Sequence, residues 1–230
     1  MIYLIRHAQA SFGADDYDAL SPLGFEQARV LGEALAVRLH GAGPLQVWCG
    51  AMQRHRQTAE GCLAALAREH ALEVHAGFNE FDHEHVIAVF EPRYATRGVM
   101  QAELRAAANP HRVFQDMFLQ AMARWTGGEC DADYLESWPA FRARCVAALR
   151  HVAGKLPHDA TALVFTSGGT LAALCQELLG LSVEAALRMN WRFANAGITK
   201  LAVGRDGPRL LSLNEHGHFE GAQSHLLTFR

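Results

Sequence analysis

Three segments of this chain place arginine, histidine or paired glycines just after an apolar stretch. They read LIRHAQAS (4–11), WCGAMQRHRQTAE (48–60) and LVFTSGGTLAAL (163–174). Each is laid out as a strand, then a polar or glycine-rich turn, then a helix. In a parallel sheet the carboxyl ends of the strands and the N-termini of the following helices gather on one edge, where ligands bind. Helix N-termini there present unpaired N–H groups and a partial positive charge, which suits an anion. Arg6 and Arg54 add fixed positive charge, and an arginine fork matches phosphate oxygens two at a time. Arg56 reads as a solvated or structural arginine. The residues predict an oxyanion pocket with His7 inside it.

The elements that would position these residues follow from the spacing of apolar and turn residues. Residues 2–6 (IYLIR) form a short apolar run and predict a buried strand. Ser21 and Pro22 open a helix, serine as N-cap and proline in the first turn. Ala28, Leu31, Leu35 and Leu39 then recur on one face. Residues 45–49 predict a second strand, about 53–69 a helix, and 72–75 a third short strand. From about 83 to 155 the strand signal disappears. That stretch predicts a mostly helical insertion, broken by Pro92, Pro110, Gly127-Gly128 and Pro139, whose last helix (about 139–156) rejoins the core. Trp125 and Trp138 within it read as core residues. Residues 161–166 predict another buried strand, with a helix from about Thr170. Segments 197–203 and 209–213 flank a hairpin turn signal at Arg205-Asp206-Gly207-Pro208. Strands spaced by helices predict a three-layer α/β/α sandwich, mostly parallel, with an antiparallel edge strand.

Composition narrows the function classes. The chain has 230 residues, half of them apolar, and a formal charge of −3. That suits one α/β domain with an insertion and excludes a disordered chain. No global basic field draws it to nucleic acid or anionic lipid. Five cysteines without a C-x-x-C spacing form neither a disulfide framework nor a zinc ribbon, and fit a reducing compartment. MIYLIRH enters a strand directly, with no leader pattern, and no stretch reaches the ~18 apolar residues of a membrane span. A cytoplasmic protein is expected. The run Phe81-Asp82-His83-Glu84-His85 has metal-like residue types, yet its spacing matches no closed site and it reads as a solvated loop. No metal or cofactor is expected.

Arg6-His7-Ala8-Gln9 after a strand resembles the R-H-G signature of the histidine phosphatase superfamily, the phosphoglycerate mutase-like fold. Residues 21–28 (SPLGFEQA) resemble the family's helix start L-[ST]-x-x-G-x-x-Q-A. Residues 53–59 (QRHRQTA) are similar to Q-R-A-x-Q-T-A, Phe78-Asn79-Glu80 to L-x-E, and Glu136-Ser137 with Arg144 to E-S-x(n)-R. Together these run in the family's order from residue 2 to about 200. The resemblance implies that His7 is a nucleophile that takes the phosphoryl group and passes it to water. It implies that Arg6 and Arg54 clamp the phosphoryl oxygens; Ser167, which can donate its O–H to phosphate or serve as a plain N-cap, and the Gly168 amide are candidate further contacts. It implies that Glu80 protonates the leaving oxygen and later activates water, with Asp82 the alternative carboxylate. Gln9, in the same loop as His7, is a further candidate.

The chain departs from the pattern in three places. Ala8 stands for glycine, and Gly50 where the family usually has serine. Ser167 stands where S-H-G-G puts the second catalytic histidine. Losing a preorganised donor typically costs about 10²–10³ in rate, so the arithmetic predicts a weakened phosphatase rather than an inert one. His216 and His218, after the last strand, are candidates to fold back and replace the missing ring. Ser167 is not expected to be a hydrolase nucleophile, because Phe165-Thr166-Ser167-Gly168-Gly169 lacks the first glycine of G-x-S-x-G. Residues 9–13 lack the Trp-Asn of the family's mutases. A phosphomonoesterase acting on a small phosphorylated molecule is therefore expected, with the insertion roofing the pocket. The competing expectation is an anion-binding or regulatory protein that has lost turnover.

Overall fold

The computed structural model describes residues 1–11, 18–67, 70–96 and 98–229. Two compact units divide the chain, residues 1–80 with 144–230, and residues 81–143.

The first unit is built on a six-stranded sheet. Its strands are β1 (Ile2–Arg6), β2 (Leu45–Cys49), β3 (Leu72–Val74), β4 (Thr161–Thr166), β5 (Ile198–Gly204) and β6 (Gly207–Glu215), in the order β3-β2-β4-β1-β5-β6. The first four strands in that order pair parallel, while β5 runs antiparallel to both β1 and β6. The central strand β4 is buried at every residue, as an apolar run covered on both faces must be. Gly207 begins β6 at φ +99°, so the turn itself is only Arg205-Asp206. Pro208 is accommodated inside β6 because that strand lies at the sheet edge.

Helices α1 (Pro22–Arg38) and α2 (Gln53–Leu66) cover one face. Ala28, Leu31 and Leu35 of α1 and Ala59 and Cys62 of α2 share a core with Tyr3, Ile5, Val47 and Phe165. Ser21 caps α1, its Oγ accepting from Gly24 N at 3.0 Å. Gly24 is required there, since a Cβ would lie 2.2 Å from the Gln9 carbonyl oxygen. Helix α2 ends at Leu66 with Ala67 left-handed at φ 53°, short of the expected end at Glu69, which lies outside the described residues.

The second unit holds α3 (His83–Phe90), α4 (Val99–Ala106), α5 (Pro110–Thr126) and the start of α6 (Trp138–Lys155). Its centre is aromatic: Trp125 packs against Phe81 and Trp138 at ring separations of 4.7 and 5.3 Å, and its Nε1 donates to Glu136 O at 2.8 Å. The chain returns to the first unit at Arg144, within α6. On the face opposite α1 and α2, His151 of α6 meets the Trp48 ring at 5.7 Å.

Two further helices complete the first unit, α7 (Gly168–Leu179) and α8 (Val183–Asn190). Helix α7 begins two residues before the expected Thr170. The diglycine forms its first turn, with Ser167 in the extended cap position. Helix α8 was not foreseen; it is short and only Ala186 in it is buried. Among the described residues no helix is long and apolar enough to cross a membrane.

Candidate active site

Strands β2, β4 and β1 are neighbours, so their carboxyl ends bring Gly50, Ser167 and His7 to one edge. His7 N donates to Thr166 O at 2.8 Å, and Gly50 N donates to Phe165 O at 3.0 Å. The loop after His7 is tied to α2 through Thr58, whose Oγ1 accepts from Ala8 N at 3.0 Å and donates to Arg54 O at 2.6 Å. From the other side, Asn195 Nδ2 donates to His7 O at 3.2 Å.

His7 is 7% exposed. Its Nδ1 lies 2.7 Å from Ala8 O. A carbonyl only accepts, so Nδ1 carries the proton and Nε2 keeps its lone pair. Burial holds the His7 pKa well below the usual imidazole value, and the charges of Arg54 and Arg6 push it the same way. The ring is thus a neutral base at pH 7.

Arg6 donates from Nη1 to the carbonyls of Phe193 and Phe229. Arg54 is buried and donates from Nη1 to Asp18 Oδ1 at 2.6 Å. The other Asp18 oxygen accepts from Gln53 N at 2.7 Å, at the start of α2. Arg56 is exposed.

Glu80 reaches the first turn of α7, where its Oε2 accepts from Gly169 N at 3.0 Å. A Cβ on Gly168 would lie 2.3 Å from Asn190 Oδ1 and 3.5 Å from Arg6 Nε, which places Arg6 at the same helix end. The 76–80 loop is braced by Arg144, whose Nη1 donates to Ala76 O at 3.0 Å and to Gly77 O and Asn79 O at 3.2 Å. Thr166 Oγ1 adds a 2.7 Å bond to Phe78 O, and Thr170 Oγ1 a 3.1 Å bond to Asn79 O.

Other candidates are used elsewhere. Gln9 Oε1 accepts from Ser21 Oγ at 2.8 Å, so its side chain serves the start of α1. Asp82 N-caps α3, accepting from His85 N at 2.9 Å. His85 Nε2 accepts from Leu135 N at 3.1 Å. His216 bonds through Nδ1 to Asn214 O at 2.7 Å and packs on the Phe229 ring. His218 packs against the Phe219 ring at a tilt of 53°, its pKa pushed down to about 4 by burial and by Arg38. Phe12 and Gly13, part of the segment that lacks Trp-Asn, lie outside the described residues.

The imidazole facing His7 belongs to His55, on the first turn of α2, with ring centroids 5.8 Å apart. His55 and Ser167 are both fully buried. His55 Nε2 lies 2.6 Å from Ser167 Oγ. Ser167 occupies the cap position of α7, yet its side chain makes no capping bond. Sequence reading passed over His55. The available signal was the segment Q-R-A-x-Q-T-A, whose third position is histidine here.

The model of one family, the histidine phosphatase superfamily (branch 1), matches residues 2–90 and 98–216. No curated protein matches the chain in sequence. One similar solved structure is the mycobacterial glucosyl-3-phosphoglycerate phosphatase with inorganic phosphate: 21% identity, TM-score 0.62, covering 94% of this chain and 98% of that one. Another is phosphoglycerate mutase from Bacillus anthracis str. Sterne: 18%, TM-score 0.62, covering 97% and 96%. A third is a phosphoserine phosphatase mutant from Entamoeba histolytica in complex with phosphoserine: 15%, TM-score 0.59, covering 94% and 98%. At these identities the likeness is one of fold.

Proposed function

The chain belongs to the histidine phosphatase superfamily (branch 1), and on that premise we propose that it hydrolyses small phosphomonoesters through a phosphohistidine on His7, without a metal. The observation that carries this reading is the His7 ring, buried, neutral and locked through Nδ1 so that Nε2 is the nucleophilic atom.

In the first step Nε2 attacks phosphorus and the P–O ester bond breaks. Its electron pair leaves on the ester oxygen, which takes a proton from the Glu80 carboxyl. In the second step the Glu80 carboxylate accepts a proton from water, and the hydroxide attacks phosphorus. The N–P bond breaks, its electrons return to Nε2, and inorganic phosphate departs. Arg6, Arg54 and the Gly168 amide stabilise the charge on the phosphoryl oxygens. Hydrolysis is preferred to mutase chemistry because the segment after His7 lacks the Trp-Asn of the mutase pattern.

A second reading rests on a specific contact. Arg54 already faces a carboxylate, Asp18, which suits a protein that binds a phosphorylated ligand and turns it over poorly or not at all. The two readings separate in one assay, p-nitrophenyl phosphate with EDTA for wild type and His7→Ala. Activity that survives chelation and falls at least ~10³-fold in the variant is expected. Equal inactivity of both across a panel of phosphate esters overturns the enzyme.

A further inference from the structure

Positions 50, 55 and 167 form one coupled set. A Cβ at Gly50 would lie 2.2 Å from His55 Nδ1 and 2.8 Å from Phe78 O, so a side chain at 50 and the present His55 ring are mutually exclusive. The ring that Gly50 admits reaches across to the end of β4 and meets Ser167. In the family pattern these positions read serine, alanine and histidine. Here all three differ, and an imidazole enters from α2 instead of from the end of β4.

The direction of the contact follows from the rest of the ring. His55 Nδ1 is buried without a hydrogen-bond partner among the described residues. A buried N–H is orphaned more rarely than a buried acceptor. The proton therefore belongs on Nε2, which donates to Ser167 Oγ. That leaves the Ser167 oxygen without a capping bond to α7 and its hydroxyl hydrogen to donate elsewhere. A hydroxyl whose oxygen accepts one hydrogen bond is polarised into a stronger donor for the next.

We propose that His55 and Ser167 form a relay that takes the place of a second active-site histidine: His55 Nε2 donates to Ser167 Oγ, and the Ser167 hydroxyl donates to an oxygen of the phosphoryl group on its way to or from His7. Ser167 is then a catalytic residue and His55 a positioning residue acting through it. The relay rests on the phosphomonoesterase reading for its chemistry, but not for its ligand, which is a phosphate oxyanion in either case. It differs from the expectation that position 167 is simply impaired, and from the expectation that His216 or His218 moves in.

The test is a double-mutant cycle on the full chain, read by calorimetric affinity for inorganic phosphate and by kcat and KM on p-nitrophenyl phosphate. His55→Ala and Ser167→Ala are each expected to weaken phosphate about tenfold and to lower kcat about 10²-fold. The double variant should be no worse than either single, because both remove the same donor. Ser167→His should recover phosphate affinity in the His55→Ala background and gain nothing in wild type, where the imidazole position is filled. If His55→Ala does not fold, His55→Gln carries the cycle: it keeps an N–H at similar reach and should stay within about threefold of wild type while Ser167→Ala does not. Losses that add, or a His55 variant lacking the donor that binds phosphate as wild type does, overturn the relay. Failure of the enzyme reading looks different: wild type and His7→Ala would be equally inactive while the phosphate affinities still fall in the order given.

Discussion

Asp18 holds Arg54 at the start of α2, accepting from Nη1 at 2.6 Å through one oxygen and from the Gln53 amide at 2.7 Å through the other. A carboxylate thus occupies the kind of position an anionic ligand would take: a helix N-terminus with an arginine beside it. Asp18→Asn keeps an acceptor in place and removes the competing charge. Phosphate affinity is expected to tighten about three- to tenfold, in line with about 1 kcal/mol for a partly exposed charge. Weaker binding by calorimetry would show instead that the charge on Asp18 is needed to aim Arg54.

Glu80 is held by the Gly169 amide at the start of α7. If it protonates the leaving oxygen, its loss matters most where that oxygen is basic. Glu80→Gln is expected to cut kcat/KM, which reports the phosphorylation step, about 10²–10⁴-fold on an alkyl phosphate and far less on p-nitrophenyl phosphate, whose leaving group needs little help. A loss of kcat/KM independent of the leaving group, measured on both esters, would remove the general-acid role.

Arg144 braces the Glu80 loop through three backbone carbonyls. Arg144→Met removes the charged donors and keeps most of the bulk. About 2 kcal/mol of stability should be lost, seen as a lower Tm. Since the loop carries Glu80 rather than a phosphate ligand, kcat should fall more than KM rises. An unchanged kcat with a lowered Tm would confine Arg144 to stability.

The pH dependence of folding has a defined sign. Burial depresses the pKa of His7 and of His55, with Arg54 adding to the effect in both, and burial and Arg38 push His218 down to about 4. Unfolded, each ring takes a proton near pH 6.5. Between the unfolded and folded values the unfolded chain binds more protons, so stability is complete above about pH 6.5 and is lost as pH falls below it. Tm should therefore drop on going from pH 7 to pH 5 by scanning fluorimetry, and His218→Asn should flatten the slope over pH 6.5 to 4. A flat profile in wild type would contradict the burial of these rings.

Much of the frame was legible because its signals are local. Ser21, Pro22 and Gly24 specify the start of α1 within four residues, and IYLIR and TALVFT announce buried strands by apolar content alone. The meeting of β1, β2 and β4 follows from the strand–turn–helix repeat. His55 was not legible. What distinguishes it from a core histidine is its partner Ser167, 112 residues away, together with the space left by Gly50. Asp18 was missed for the same reason: no local pattern announces that a lone aspartate turns toward Arg54. The start of α7 was placed late because glycine weakens helix propensity, whereas the end of β4 and the Glu80 contact fix Gly168 and Gly169 in the first turn.

The pairing of β1 also constrains how the protein is made. Ile2–Arg6 are synthesised well before their partners, since Ile2 pairs with Ala162 and Leu201, and Arg6 closes on the Phe229 carbonyl. At about 5–20 residues per second, the strand that carries His7 waits on the order of ten seconds or more for its neighbours, with apolar IYLI unpaired on both edges. The nascent chain is therefore prone to aggregate at this strand, and the edge that carries His7 closes only after β4 and β5 have been made.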